Sequence, residues 1–135
     1  MNEDRYFGSD LNKYIHSECT KQMSCINIDC LLLRFSKKRL RIIESKHTLE
    51  RLKQSQLKIL QILFKLFKIA EKCKWFPKYF DNWELDIWIV IGDLPYENVI
   101  IKHPFYDLKY NLNNEQFKQW LEFELDLNAN LQIND

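Results

Sequence analysis

The chain has 135 residues; 46% are hydrophobic, 14% aromatic and 29% charged, with two Gly and three Pro. One domain spanning 1–135 is the expected organisation, and this balance excludes intrinsic disorder and linker- or collagen-like architecture. No apolar run of about 18 residues occurs, so no membrane helix is expected. Met1 to Arg5 lacks the basic start and apolar block of a signal peptide, which makes the cytoplasm the expected compartment.

The formal net charge of +1 hides a segregation: residues 34–78 carry fourteen Lys or Arg and three acids, while the remainder carries six basic residues and sixteen acids. A dipolar molecule with one basic region suits a polyanion, although a solvated lysine-rich helix face gives the same count. Cys19, Cys25, Cys30 and Cys73 form no CxxC pair, and their spacing matches no common zinc module; in a reducing compartment they read as small hydrophobes.

In chain order, Ser9 can cap a first helix through about Gln22, with Leu11, Tyr14, Ile15, Cys19 and Gln22 at helical spacing. Ile26 to Phe35, rich in branched aliphatics, reads as a strand. Arg39 to Lys46 reads as a second, paired with the first in a hairpin. Thr48 is the expected cap of a long helix closed by Pro77, with Leu49, Leu52, Ile59, Leu60, Leu63, Leu66, Phe67 and Ala70 along one face and Lys58, Lys65, Lys68 and Lys72 along another. Leu85–Ile91 reads as a buried strand and Asn98–Lys102 as a shorter one. Asn113 or Asn114 can cap a final helix to about Glu122, and alternation over Leu121–Leu127 also fits a strand. The expectation is an α/β fold in the order α, β, β, α, β, β, α around a mixed sheet.

Two acid-x-Lys triplets occur. Asp107-Leu108-Lys109 has no partner acid on an adjacent strand and lies in a Pro/Tyr/Asn-rich stretch, so it reads as surface. Glu44-Ser45-Lys46 ends the second strand, with Asp29 on the first. With Lys37-Lys38 or Ser36–Arg39 as the loop, Asp29 opposes Lys46 and Leu31 opposes Glu44. One face then carries Asp29, Leu31, Leu33, Phe35, Leu40, Ile42, Glu44 and Lys46; the other carries Cys30, Leu32, Arg34, Arg39, Arg41 and Ile43. A three-residue loop would move Asp29 to the wrong face. Two adjacent carboxylates repel each other, and a hard divalent cation relieves the repulsion.

Ile28-Asp29 followed by Ile42-Ile43-Glu44-Ser45-Lys46 resembles the active-site pattern of the PD-(D/E)xK nuclease superfamily, over roughly Ser9 to Ile101. The resemblance implies a single-domain αββαβ-type core with a C-terminal helix, and metal-dependent endonuclease activity on DNA. It implies Mg²⁺ or Mn²⁺ held by Asp29, Glu44 and the Ser45 carbonyl, with Lys46 stabilising charge on the phosphate. Glu18, on the inward stripe of the first helix, is a candidate extra ligand, and Gln56, about ten residues after the motif lysine, resembles a glutamine found in resolvase-like members. Arg34, Arg39, Arg41, Lys53, Lys58, Lys65 and Lys68 are the expected phosphate contacts. The chain departs from the pattern in having only Met23 to Asn27 between the first helix and the Asp-bearing strand. Duplex cleavage would call for a homodimer. The alternative is a non-catalytic nucleic-acid or protein binding module, such as an accessory factor of a mobile element, which needs only the basic block. A lone histidine such as His47 reads first as structural.

Overall fold

The computed structural model describes residues 10, 14, 17–20, 29–72 and 82–133. Its centre is a five-stranded mixed sheet in the order β1-β2-β3-β4-β5. The strands are β1 (Cys30–Arg34), β2 (Arg39–Lys46), β3 (Glu84–Ile91), β4 (Asn98–Lys102) and β5 (Lys109–Asn113). Strands β2 and β3 are parallel and joined through helix α1 (Gln54–Lys72); the other pairings are antiparallel. Helix α2 (Asn114–Leu121) follows β5 directly. The α/β class, the mixed sheet and the late helix agree with the sequence.

The β1–β2 connection is a four-residue turn, Phe35–Lys38, one position earlier than expected, and the pairing is Cys30 with Ile43 through Arg34 with Arg39. The register is displaced by two residues from the expected one. Since faces alternate with period two, an even displacement leaves every side chain on its expected face. Its effect is that Asp29, just before β1, is carried opposite Glu44 rather than Lys46. Lys38 completes the turn with φ 54°, a left-handed conformation.

Each face of the sheet has its own core. On one, Ile42, Ile87 and Ile89 pack with Leu60 and Phe64 of α1. On the other, Ile43, Trp88, Val90, Val99, Ile101, Tyr110 and Leu112 pack with Phe117 and Trp120 of α2. Helix α1 begins later than the expected Thr48: a 3-10 turn at Leu49–Arg51 comes first, and Leu57 N–H makes the first helical bond to Lys53 O at 3.0 Å. Its inward positions include Leu57, Leu60, Phe64 and Phe67, whereas Ile59 and Leu66, expected inward, are exposed. Strand β5, not among the expected elements, begins at Lys109, the last residue of the triplet read as surface, of which Asp107 is exposed. Tyr110 and Leu112 are buried, alternating with exposed Asn111 and Asn113.

Helix α2 starts with a capping box, Asn113 accepting from Gln116 N–H at 2.8 Å and Gln116 Oε1 from Asn113 N–H at 2.9 Å. The segment after α2 is not a strand over 121–127. It returns to the sheet at 131–133, where Asn111 N–H bonds Leu131 O at 2.9 Å, Ile133 N–H bonds Lys109 O at 2.8 Å, and Tyr110 bridges Gln132. The first-helix expectation and Pro77 lie mostly or wholly outside the described residues, although Asp10, Tyr14, Ser17 and Glu18 are helical. Among the described residues, no helix is long and apolar enough to cross a membrane.

Candidate active site

Four of the side chains singled out in the sequence meet at the carboxyl end of β2. Glu44 points to the α1 face and is 3% exposed. Lys46, two residues on and therefore on the same face, places Nζ 3.0 Å from Glu44 Oε1. Gln56, in the first turn of α1, donates from Nε2 to the same oxygen at 3.4 Å, and its Oε1 accepts from Lys53 N–H at 3.1 Å. Asp29 accepts from Ser45 N–H through Oδ2 at 2.9 Å. The site therefore rests on the end of one strand, the start of its neighbour and the first turn of the crossover helix.

Burial is the largest influence on the Glu44 carboxyl and raises its pKa above the ordinary carboxylate range. The hydrogen bond from Lys46 opposes the rise; the charge of Asp29 and a side-chain hydrogen bond with it reinforce it. Two acids and one ammonium thus leave the group one negative charge in excess when both acids are ionised.

The donor chemistry fits a hard cation. Gly92 N–H donates to Lys46 O at 3.0 Å, so the main-chain groups of Lys46 face β3. Those of Ser45 face the other way, toward Asp29, as its N–H bond to the Asp29 carboxylate requires. The Ser45 carbonyl leaves the strand on that side as well, and two carboxylates with an uncharged carbonyl oxygen are donors of the kind that Mg²⁺ or Mn²⁺ takes. Glu18 is exposed rather than inward. Among the described residues no three His, Cys, Asp or Glu side chains form a group able to hold a metal, so Glu18 does not complete the site.

Beyond Lys46 the chain enters a cleft of about 350 Å³ at the carboxyl ends of the two parallel strands, lined by Ser45, Lys46, His47, Gly92, Asp93 and Tyr96 among others. Open α/β sheets bind ligands at this end of their parallel strands. His47 Nδ1 is hydrogen-bonded to Asp93 Oδ1, so the residue read as a lone histidine has a partner beside the site. Its partner lies 46 residues away and could not be paired from spacing alone.

The expected phosphate contacts divide in two. Lys53, Lys58, Lys65 and Lys68 are exposed on or before α1. The three arginines lie on the α2 face and have other partners. Arg41 is 4% exposed and bonds both oxygens of Asp86, from Nε at 2.8 Å and Nη2 at 3.0 Å, while Nη1 bonds Trp120 O at 2.5 Å. Its guanidinium lies 4.2 Å from the Trp120 ring centroid and 4.5 Å from that of Phe123. Arg39 pairs with Asp86 at 3.1 Å and Glu84 at 3.4 Å. Arg34 bonds Glu124 at 2.6 Å, and hydrogen bonds from Lys37 first and Arg34 second hold that carboxyl below its usual range. Arg41 is too buried for a phosphate, which corrects the expectation for that residue; Arg34 and Arg39 already have carboxylate partners.

No family model, curated protein or solved structure matches this chain.

Proposed function

We propose that the chain is a metal-dependent nuclease hydrolysing phosphodiester bonds in DNA. The observation that carries this reading is the meeting of Asp29, Glu44, Lys46 and Gln56 around one buried, under-compensated carboxylate at the end of a parallel strand. Asp29, Glu44 and the Ser45 carbonyl would hold a divalent cation, which when bound supplies charge to the phosphodiester and acidifies water. Lys46 stands on the same face, positioned to stabilise charge growing on the phosphate and to orient the attacking water. Gln56 is a positioning residue: with one end on Lys53 N–H and the other on Glu44, it fixes the carboxylate in place. Lys53, Lys58, Lys65 and Lys68 supply phosphate contacts outside the site.

A second reading, a nucleic-acid binding module without catalysis, draws on the existing pairing of Glu44 with Lys46 and Gln56, which gives the carboxylate neutral and cationic partners with no metal. One assay separates them: single-stranded, duplex, forked and four-way DNA incubated with Mg²⁺ or Mn²⁺. Cleavage by the wild type, abolished in Lys46→Ala with DNA binding nearly intact, is the expected result. Absence of cleavage with every metal, alongside salt-sensitive binding, would establish the binding module instead.

A further inference from the structure

A second cluster, on the same face of the sheet but away from the carboxylates, is built from the loop Pro104–Asp107 and the lysine-bearing side of α1. Phe105 and Tyr106 are 44% and 51% exposed, adjacent aromatics projecting from a connection between β4 and β5. The loop beneath them is fixed from inside. His103 Nδ1 accepts from both Phe105 N–H at 3.0 Å and Tyr106 N–H at 2.9 Å, and Gln61 Nε2 of α1 donates to Pro104 O at 2.9 Å. His103 N–H bonds Leu108 O and Leu108 N–H bonds Tyr106 O, each at 2.9 Å, which closes the loop. Phe64 supports both rings from below, with centroids 5.8 Å from Phe105 and 5.4 Å from Tyr106, and Tyr106 stacks on His103 at 4.9 Å. Two aromatic rings are thus held in place by partly buried hydrogen bonds beneath the loop while parts of their surfaces remain open to solvent.

Cations border those rings. Lys65 Nζ lies 5.0 Å from the Phe105 centroid, and Lys58, Gln61, Ile62, Lys65 and Phe105 line a shallow cavity of about 240 Å³. Lys68 follows on the same side of the helix, 5.4 Å from the Phe64 ring. Fixed aromatic surfaces beside positive charge suit a strand of unpaired nucleotides, whose bases offer π-faces and whose backbone offers phosphates. Continuous duplex buries its base faces in its own stack and offers phosphates and groove edges but no π-face along its length. Helix α1 also connects the two places: Gln56 touches Glu44, and Lys65 is nine residues further along, roughly 14 Å on the axis at about 1.5 Å per residue. That separation is about four base steps at stacked spacing of ~3.4 Å.

We propose that Phe105 and Tyr106, with Lys58 and Lys65, form a stacking site for unpaired bases, so that single-stranded or locally opened DNA is the strand delivered to the carboxylates. The substrate assignment rests on the nuclease reading; the stacking site itself is measured without cleavage. The experiment follows anisotropy of a fluorescein-labelled oligothymidylate and of a blunt hairpin duplex in EDTA, for wild type and for Phe105→Leu/Tyr106→Leu, which keeps apolar bulk over Phe64. Roughly tenfold or greater weakening for oligothymidylate, with duplex affinity nearly unchanged, is expected from the loss of stacking. Lys58→Gln/Lys65→Gln should lower the salt dependence of oligothymidylate binding by about 1.4 in log–log slope, at ~0.7 per contact. Equal weakening for both DNAs, no weakening for oligothymidylate, or no oligothymidylate binding by wild type overturns the proposal. Circular dichroism and Tm of the leucine variant verify its fold, and Phe105→Leu alone replaces it in the same comparison if the pair does not fold. Cleavage of either DNA in Mg²⁺ is scored separately with Lys46→Ala, so the nuclease reading can fail while the stacking site stands, or the reverse.

Discussion

Strand β2 carries part of a charged cluster on each face of the sheet, and the two clusters are built differently. On the α2 face, Arg39 and Arg41 are met by Glu84 and Asp86, with Arg41 engaging Asp86 through two nitrogens and lying against two aromatic rings. Charges there balance, and hydrogen bonds satisfy the buried guanidinium, as a buried pair requires. On the α1 face, Glu44 is paired with the Lys46 ammonium while the charge of Asp29 acts on it as well, and burial first of all pushes the carboxyl toward its neutral form. A matched cluster holds structure together; an unmatched one in the same sheet leaves a charge for something else to satisfy. This contrast gives Glu44 its chemical interest, and it takes Arg41 out of the nucleic-acid contacts.

The largest test of the contrast is Arg41→Ala. Removing one member of a buried pair leaves Asp86 without its main partner, and an unfolding free energy lower by about 3–5 kcal/mol is expected in urea titration. A loss under about 1 kcal/mol, typical of surface pairs, would mean that the α2-face cluster is not a buried structural pair.

A pH titration sharpens the comparison from between the two cores, because His103 touches Phe64 on one side of the sheet and Trp88 on the other. Burial is the main cause that brings its pKa down to about 4, and Lys68 and Lys102 act in the same direction against Asp86. The unfolded chain takes up this proton near 6.5 and the folded chain near 4, so the unfolded state binds more protons between those values. Stability present above 6.5 should therefore fall by roughly 3 kcal/mol as the pH drops through that window. His103→Gln should flatten that part of the profile; an unchanged slope would remove His103 as its cause.

Glu44→Gln gives the smallest expected effect and the opposite sign. With its folded pKa raised, Glu44 favours folding least above that raised value and progressively more as pH falls through it toward 4.5. At neutral pH the glutamine variant should melt a few degrees higher than wild type. Millimolar Mg²⁺ should raise the Tm of wild type and leave the variant unmoved, since only the wild type presents both carboxylates. A lower Tm for Glu44→Gln would show that the pair with Lys46 outweighs burial and repulsion, making the two clusters alike.

Much of this arrangement was legible where physical constraints are local. The strands read at Arg39–Lys46 and Asn98–Lys102 have the observed bounds, and the parity of the hairpin was enough to bring Asp29, Glu44 and Lys46 to one face although the pairing itself differs by two residues. Helix α1 was harder: apolar residues occupy nearly every side of it, so Ile59 and Leu66 compete with Leu57 and Phe64 for the inward stripe. Strand β5 was obscured by Asn111, Asn113 and Lys109, residues disfavoured in strands, although Tyr110 and Leu112 alternate as a half-buried strand should. Arg41 was misassigned because a local charge count cannot see an acid 45 positions away. One available signal was Asp86 itself, an acid inside a buried apolar run, which demands a partner.

The return of the chain at 131–133 has a consequence for self-association. Strand β5 is the last in the sheet, and its outer row of N–H and C=O groups would be a template for pairing with another copy. Leu131 and Ile133 occupy part of that row from within the same molecule. Leu131 also packs against the α2-face core, so a chain shortened before it would lose that contact and expose a hydrogen-bonding edge, lowering solubility as well as stability.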